Sequence, residues 1–227
     1  MLVSVVVPVL NEAARLTSLL DHLATLDGQL ELIVADGGST DETVQLTRGH
    51  PCSPRVIEAP RGRAHQMNAG AAVARGEAIV FLHADTRLPA HAHRLIISAL
   101  VDSRVLGGNF SLRFDGGDRF SRILGRWYRL QRRAGIYYGD SALWLRRDTF
   151  EGLGGFRAIP IMEDYDLVRR LEGAGKTVCL AGPASTSARR WHRLGLSRTI
   201  ASWMLIRWLY LAGVSPTRLA RLYPPVR

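Results

Sequence analysis

The chain is 227 residues long, 47% apolar and 22% charged, with a formal net charge of +10. That length fits one large domain or one domain with a small appendage, and the apolar fraction excludes a disordered chain. The charge excess is nearly all arginine, since Lys176 is the only lysine. No nucleic-acid-binding module is legible, so no nucleic-acid partner is expected; an anionic membrane or a phosphorylated substrate would also meet the charge.

Val3 to Val7 is β-branched and nearly uninterrupted, the pattern of a strand buried on both faces, and Pro8 is expected to end it. Asn11 is expected to cap a helix in which Leu16, Leu19, Leu20 and Leu23 recur at helical spacing. Leu30 to Ala35 reads as a second strand, followed by a short helix capped by Thr40 or Asp41 and ending near Gly49. Arg55 to Glu58 reads as a third strand and Ala64 to Ala74 as a helix closed by Gly76. Ala78 to Leu82 is another buried strand. After Pro89 a helix to about Ser103 is expected, then Val105 to Phe114, whose alternation suggests an antiparallel strand. An arginine-rich helix over Arg119 to Arg133, a strand over Ser141 to Arg146, a helix over Glu163 to Glu172, a last short strand over Thr177 to Leu180 and a helix over Ser197 to Ala212 complete the series. Strands alternating with helices imply a mostly parallel α/β sheet flanked by helices, with right-handed crossovers and a C-terminal helical extension. The expected division is a domain over residues 1–195 and an extension over 196–227 packed on it.

Cys52 and Cys179 form no CxxC pair, which suggests a reducing compartment. The N-terminus lacks a basic leader, and Pro8 and Asn11 interrupt its apolar run, so it does not read as a signal peptide. Thr199 to Val214 is too short to span a bilayer comfortably and carries Arg207. A cytoplasmic protein is expected, with the 197–212 helix available for peripheral contact at the inner membrane face, for a homodimer, or for packing.

The chemistry concentrates in three acidic segments. Asp36-Gly37-Gly38-Ser39 closes the second strand, at the sheet end where open α/β folds bind ligands. His83-Ala84-Asp85 closes a later strand, and Glu163-Asp164 opens a helix. Together they suggest one cleft for a nucleotide, a metal and a proton acceptor. Pro8-Val9-Leu10-Asn11-Glu12 sits level with Asp36, so a base such as uracil fits between them, with Asp36 accepting from its N–H and Gly37 and Gly38 allowing close approach. Turn chemistry alone also favours Asp, Gly and Ser at such a place. Neither a G-x-G-x-x-G after the first strand nor a P-loop is present.

This ordered set, with Arg190-Trp191 after the last strand, resembles the family 2 glycosyltransferases over roughly Val3 to His192. The resemblance implies the GT-A (Rossmann-like) fold, a nucleotide-diphospho-sugar donor, an unidentified acceptor hydroxyl, inversion at the anomeric carbon and a Mn²⁺ or Mg²⁺ ion. It implies a nucleotide site at Pro8, Asn11, Glu12, Asp36, Gly38, Arg61, Arg63, Asn68, His83, Ala84 and Asp85, where Arg61 and Arg63 would pair with phosphate. His83-Ala84-Asp85 stands where the family carries D-x-D, so Asp85 would hold the metal, with His192 as a further ligand and His83 as another candidate. Asp164 would be the catalytic base and Glu163 its support. Asp140 would contact the acceptor, Arg190 the phosphates, and Trp191 a sugar or the acceptor; Gly152 to Phe156 would bring backbone close to ligand. The HAD variant and short length also resemble a bacterial subgroup linked with arsenosugar biosynthesis. Two other readings remain at this stage: a nucleotidyltransferase of related fold, and a non-catalytic membrane-surface or partner-binding protein.

Overall fold

The computed structural model describes residues 1–115, 119–186 and 195–222. In chain order the elements are β1 (Val3–Val9), α1 (Ala13–Ala24), β2 (Leu30–Asp36), α2 (Thr43–Arg48), β3 (Arg55–Glu58), α3 (Arg63–Val73), β4 (Ala78–Phe81), β5 (Thr86–Arg87), α4 (Ala92–Leu100) and β6 (Val105–Phe114). They continue with α5 (Arg119–Arg133), a 3-10 turn (Gly139–Ser141), β7 (Leu143–Arg146), α6 (Arg147–Gly152), α7 (Glu163–Ala174), β8 (Lys176–Thr186), α8 (Leu196–Leu211) and α9 (Pro216–Leu222). Among the described residues the strands make one sheet in the order β3-β2-β1-β4-β7-β6-β8-β5.

Strands β1 to β4 are parallel, as the alternation of strand and helix implies. The side chains of β1 divide by parity: Val3, Val5, Val7 and Val9 join the core under α1 and α4, while Val6 joins the core under α3 and α7. Burial on both faces is why the run is apolar throughout except at Ser4, whose hydroxyl donates to Glu31 at 2.6 Å.

Pro8 lies inside β1 rather than ending it. The last β1–β4 pair is Val6 with Phe81. Pro8, next in phase on that edge, has no N–H to continue the ladder, whereas pairing with β2 runs on to Val9 and Asp36. The chain after Phe81 is thereby released from β1 and turns into His83-Ala84-Asp85. The expectation of an antiparallel strand over Val105 to Phe114 is met on one side of β6 only. It pairs antiparallel with β7 but parallel with β8, so β7 is the strand that runs against its neighbours. The last long strand, β8, reaches Thr186 through a register shift: Phe110 faces Leu180 and Ser111 faces Pro183, with Ala181 and Gly182 bulged out. A two-residue strand, β5, pairs with its far end.

Helix α8 packs on α5 and α7 through an aromatic layer. Trp203 meets Tyr128 of α5 edge-on at 5.9 Å, and Tyr210 meets Tyr165 of α7 at 6.2 Å. Ile206 is buried with Met162 and Leu219. Packing is therefore what one face of this helix does; the opposite face is exposed.

Candidate active site

The carboxyl ends of β1 and β2 are clamped to each other by the loops that follow them. Asn11 does not cap α1. It sits at φ 56° with its side-chain carbonyl accepting from Thr40 N at 2.8 Å and its own N–H donating to Ser39 Oγ at 2.9 Å. The N-terminus of α1 is satisfied from the other loop: Glu12 N donates to Thr43 Oγ1 and Ala13 N to Asp41. Glu12 itself pairs with Arg15 at 2.6 Å. Asp36 is buried, and its carboxylate accepts from Gly38 N at 2.9 Å, from Ser39 N at 3.0 Å and from Ser39 Oγ. Three donors already use most of a carboxylate's capacity, so Asp36 shapes its own turn first. Gly38, at φ +89°, faces open space, which leaves the turn's outer side accessible.

Gln66, on the first turn of α3, is buried and donates to Val9 O at 2.7 Å and Ala35 O at 2.9 Å, tying the ends of β1 and β2 together. One turn earlier on the same face, Arg63 reaches the other way and pairs with Glu163 at 2.7 Å. The start of α3 thus joins the Asp36 side of the sheet edge to the Glu163-Asp164 side. Replacing Gln66 by leucine should lower stability by about 1 kcal/mol, because Val9 O and Ala35 O each lose a donor while Val9 O keeps Gly37 N at 3.0 Å; a thermal melt of the variant checks this.

At the centre lies Gly139. Its N–H donates to Asp164 Oδ2 at 2.8 Å. A methyl added to its α-carbon would stand 3.0 Å from His83 Nε2 and 3.2 Å from Asp164 Oδ2. The strand-end imidazole and the helix-start carboxylate therefore converge on one glycine, although 81 positions separate them in sequence, 164 less 83. The 3-10 turn of Gly139 reaches them because β7, which follows it, pairs with β4 through Leu143 and Phe81. Asp164 Oδ1 also accepts from Tyr165 N at 2.7 Å. Two backbone donors fix its orientation and leave lone pairs for a ligand.

Glu163 is 2% exposed and its partner Arg63 50%. Burial pushes the Glu163 carboxyl above its ordinary range, the Arg63 charge opposes that, and the Asp164 charge adds to it. Its Oε2 has no hydrogen-bond partner. Asp140 accepts from Tyr128 O–H at 2.8 Å, and burial, together with the Asp140 charge, pushes the Tyr128 phenol far up. Tyr138 stacks on Tyr165 at 5.5 Å beside them. Three of the four non-glycine residues with positive φ among the described residues, Asn11, Ala142 and Met162, border this edge of the sheet. Local strain of this kind concentrates where a site over-determines its backbone.

Other singled-out residues have structural partners. Asn68 donates to Phe156 O at 2.8 Å and accepts from Phe156 N at 2.9 Å, so its amide is spent on holding the Gly152–Phe156 loop. Arg170 takes Leu153 O and Gly155 O of that loop; its carbonyls face protein. Pro8 is buried in β1, Arg61 is exposed, and Ala84 and Asp85 form the turn after β4 with Asp85 exposed. Arg190, Trp191 and His192 lie outside the described residues. Sequence reasoning missed Gln66, Tyr128, Tyr138 and Tyr165 as parts of the site. No periodicity or motif signals them, since each acts through a partner distant in the chain.

The described donors fit a sparsely held cation. No three His, Cys, Asp or Glu residues cluster closely enough among the described residues to hold a metal. Mg²⁺ and Mn²⁺ bound with nucleotides commonly take one or two protein ligands, with phosphates and waters completing the shell. An exposed Asp85 two residues from His83 suits that arrangement.

Residues 4–159 match the family model described as glycosyl transferase family 2. That is more than half of the chain, which belongs to this family. A PGL/p-HBAD biosynthesis glycosyltransferase of Mycobacterium bovis (strain BCG / Pasteur 1173P2) is 37% identical over 91 residues, covering 37% of this chain and 36% of that protein. A glucosyl-3-phosphoglycerate synthase of Mycobacterium tuberculosis (strain CDC 1551 / Oshkosh) is 32% identical over 120 residues, covering 48% of this chain and 36% of that protein. The match spans about a third of the length of either relative. Among solved structures, S. aureus TarS 1-349 in complex with UDP superposes with a TM-score of 0.68 at 17% identity, over 83% of this chain and 61% of that one. The mannosyltransferase PcManGT from Pyrobaculum calidifontis, in complex with GDP-Man and Mn2+, superposes with a TM-score of 0.63 at 24% identity, over 82% and 56%. The fold is accordingly of the GT-A type.

Proposed function

We propose that the protein is a glycosyltransferase that moves one sugar from a nucleotide-diphospho-sugar to an acceptor hydroxyl, with inversion at the anomeric carbon. The observation that carries this reading is the convergence of His83 and Asp164 on Gly139 at the carboxyl edge of the sheet. Residues 1–195 would form the transferase domain, with 196–227 as its extension.

The nucleoside would lie along Asn11, Glu12 and the outer side of the Asp36–Ser39 turn. Arg61 and the N–H groups at the start of α3 would meet the diphosphate, with Arg190 arriving from the segment after β8. Arg63 is better suited to holding Glu163 than to phosphate. The acceptor hydroxyl would approach on the Asp140 side, where Tyr138 and Tyr165 offer stacked rings. Its oxygen attacks the anomeric carbon as the bond from that carbon to the diphosphate oxygen breaks. The electron pair leaves with the diphosphate, and the hydroxyl proton passes to Asp164. One displacement on one face inverts the centre. Asp85 and His83, with His192, would hold a Mn²⁺ or Mg²⁺ ion, which when bound stabilises negative charge on the departing diphosphate. The subgroup linked with arsenosugar biosynthesis, which the His83-Ala84-Asp85 variant resembles, suggests arsenic-bearing acceptors as one class to try.

A thermal-shift screen of UDP, GDP and their sugars with Mn²⁺ tests the site. At least one nucleotide should raise the melting temperature, since a ligand that binds only the native state stabilises it; no shift with any of them would remove the nucleotide reading. In the Asp85→Ala variant, calorimetric titration should show nucleotide affinity reduced by roughly tenfold or more in Mn²⁺ and little changed without metal, consistent with loss of one charged ligand. Identical titrations of the two proteins in Mn²⁺ would sink the metal assignment.

A further inference from the structure

Helices α5 and α8 lie side by side. Tyr128 meets Trp203, and three to four residues further along each helix Arg207 donates to Gln131 at 2.7 Å, so the two helices run in the same direction. A helix turns about 100° per residue. On α5, the phase that points Leu124 and Tyr128 at the sheet and Gln131 at α8 leaves Ile123 and Leu130 on the outer shoulder, beside Trp127. On α8, the phase that buries Ile206 and turns Met204 and Arg207 toward α5 leaves Trp208 on the outer shoulder, with Leu205 next to it. Ile123, Leu130, Leu205 and Trp208 are each more than half exposed. They form one apolar band along the seam between the helices. The remaining exposed arc of α5 carries Arg119, Arg122, Arg126, Arg129 and Arg133. Neither α5, α8 nor α9 contains an aspartate or glutamate.

We propose that this face docks the protein on the surface of an anionic lipid bilayer. An apolar band with aromatic residues, edged by arginines, suits burial at the boundary of headgroups and acyl chains. The charge selects the occupant. A second copy would bring one arginine row against another. A nucleic acid would meet the arginines and leave the leucines and Trp208 without a partner. Anionic headgroups neutralise the row while the chains below them receive the band. No helix among the described residues is long and apolar enough to cross a membrane, so the contact is one of lying on the surface. The same helices carry Tyr128, which holds Asp140, and Arg207, whose charge lies close to Tyr138. An acceptor borne by the bilayer would meet the site from that side; this corollary rests on the transferase reading, and the docking does not.

Co-sedimentation of the full chain, without any nucleotide, with phosphatidylcholine vesicles and with phosphatidylglycerol-containing vesicles tests the proposal. Binding is expected on the anionic vesicles alone and should weaken as salt rises. The combined Arg122→Gln, Arg126→Gln and Arg129→Gln variant should partition roughly 100-fold more weakly, from the usual contribution of a basic residue near such a surface. The Leu130→Ser, Trp208→Ser pair should also lose binding, with the melting temperature and nucleotide-induced thermal shifts of both variants unchanged. Absence of binding to anionic vesicles, equal binding to neutral ones, or full binding by the arginine variant would overturn the proposal. So would a dimer in sedimentation equilibrium that the Leu130→Ser, Trp208→Ser pair converts to monomer, since the band would then belong to a second copy.

Discussion

Replacing Asp164 by asparagine should lower turnover by about 10²–10⁴-fold, the usual contribution of a positioned base, while leaving donor affinity nearly unchanged. The amide is almost the same size, and its carbonyl can still accept from Gly139 N or Tyr165 N, the two donors that orient the carboxylate. What it loses is the capacity to take a proton. Loss of turnover with intact donor binding therefore separates base chemistry from collapse of the turn. The measurement is a pair: turnover from product formation, and donor affinity by calorimetry. Full turnover in the variant would remove Asp164 from the proposed role. Gly139→Ala offers a geometric companion. Its methyl would press on His83 and Asp164 together, so it should lower turnover without removing either group.

The second large effect is expected at Arg63. Its guanidinium is the ion-pair partner of a carboxylate that is 2% exposed. Breaking a buried pair from one side typically costs about 3–5 kcal/mol. Arg63 is half-exposed and screened, so Arg63→Ala should destabilise by roughly 2–3 kcal/mol near neutral pH. The loss should depend on pH with a definite sign. The Glu163 carboxyl is raised above its ordinary value of 4.5 in the folded protein. Below that value it is protonated in both states and costs nothing. As pH rises from there through the folded value, the unfolded chain releases its proton first, so native stability falls. Removing Arg63 takes away the charge that opposes the rise, which widens the window and deepens the loss. The Arg63→Ala deficit should therefore be small in acid and grow toward alkaline pH. Glu163→Gln should recover most of it in the double variant, because no buried charge remains. Chemical denaturation of the four proteins across pH measures all of this, and a deficit independent of pH would show that the pair is not its source.

Much of the architecture follows from local pattern. β1, β2 and β4 are largely apolar runs because both faces of a central parallel strand are buried, and α1 announces itself by Leu16, Leu19, Leu20 and Leu23 at helical spacing. β8 was legible only in its first half. Ala181-Gly182-Pro183 looks like a break, and the strand crosses it solely because β6 supplies partners on either side of the bulge. The parallel pairing of β6 with β8 was not legible either: alternation reports which faces are wet, while direction depends on which neighbours a strand finds. Asn11 illustrates the same limit. Its type favours a cap, but the facing loop satisfies the α1 N-terminus better, and Asn11 turns to Thr40 instead.

The acidic segments stood out in the chain because strand ends and helix starts can be read from neighbours one to four residues away. That much is set by the sequence itself: the strands, the order of their loops, and the placing of Asp36, Asp85 and Asp164 at strand or helix ends. The tertiary structure alone decided the company each one keeps. Arg63 pairs with Glu163, Asn68 holds Phe156, Tyr128 holds Asp140, and His83 meets Asp164 across Gly139. Those pairings join residues from 12 to 100 positions apart. They exist because sheet register brings the ends of β4 and β7 together and sets α3 against α7, and no pattern within a single turn of helix or strand carries that information.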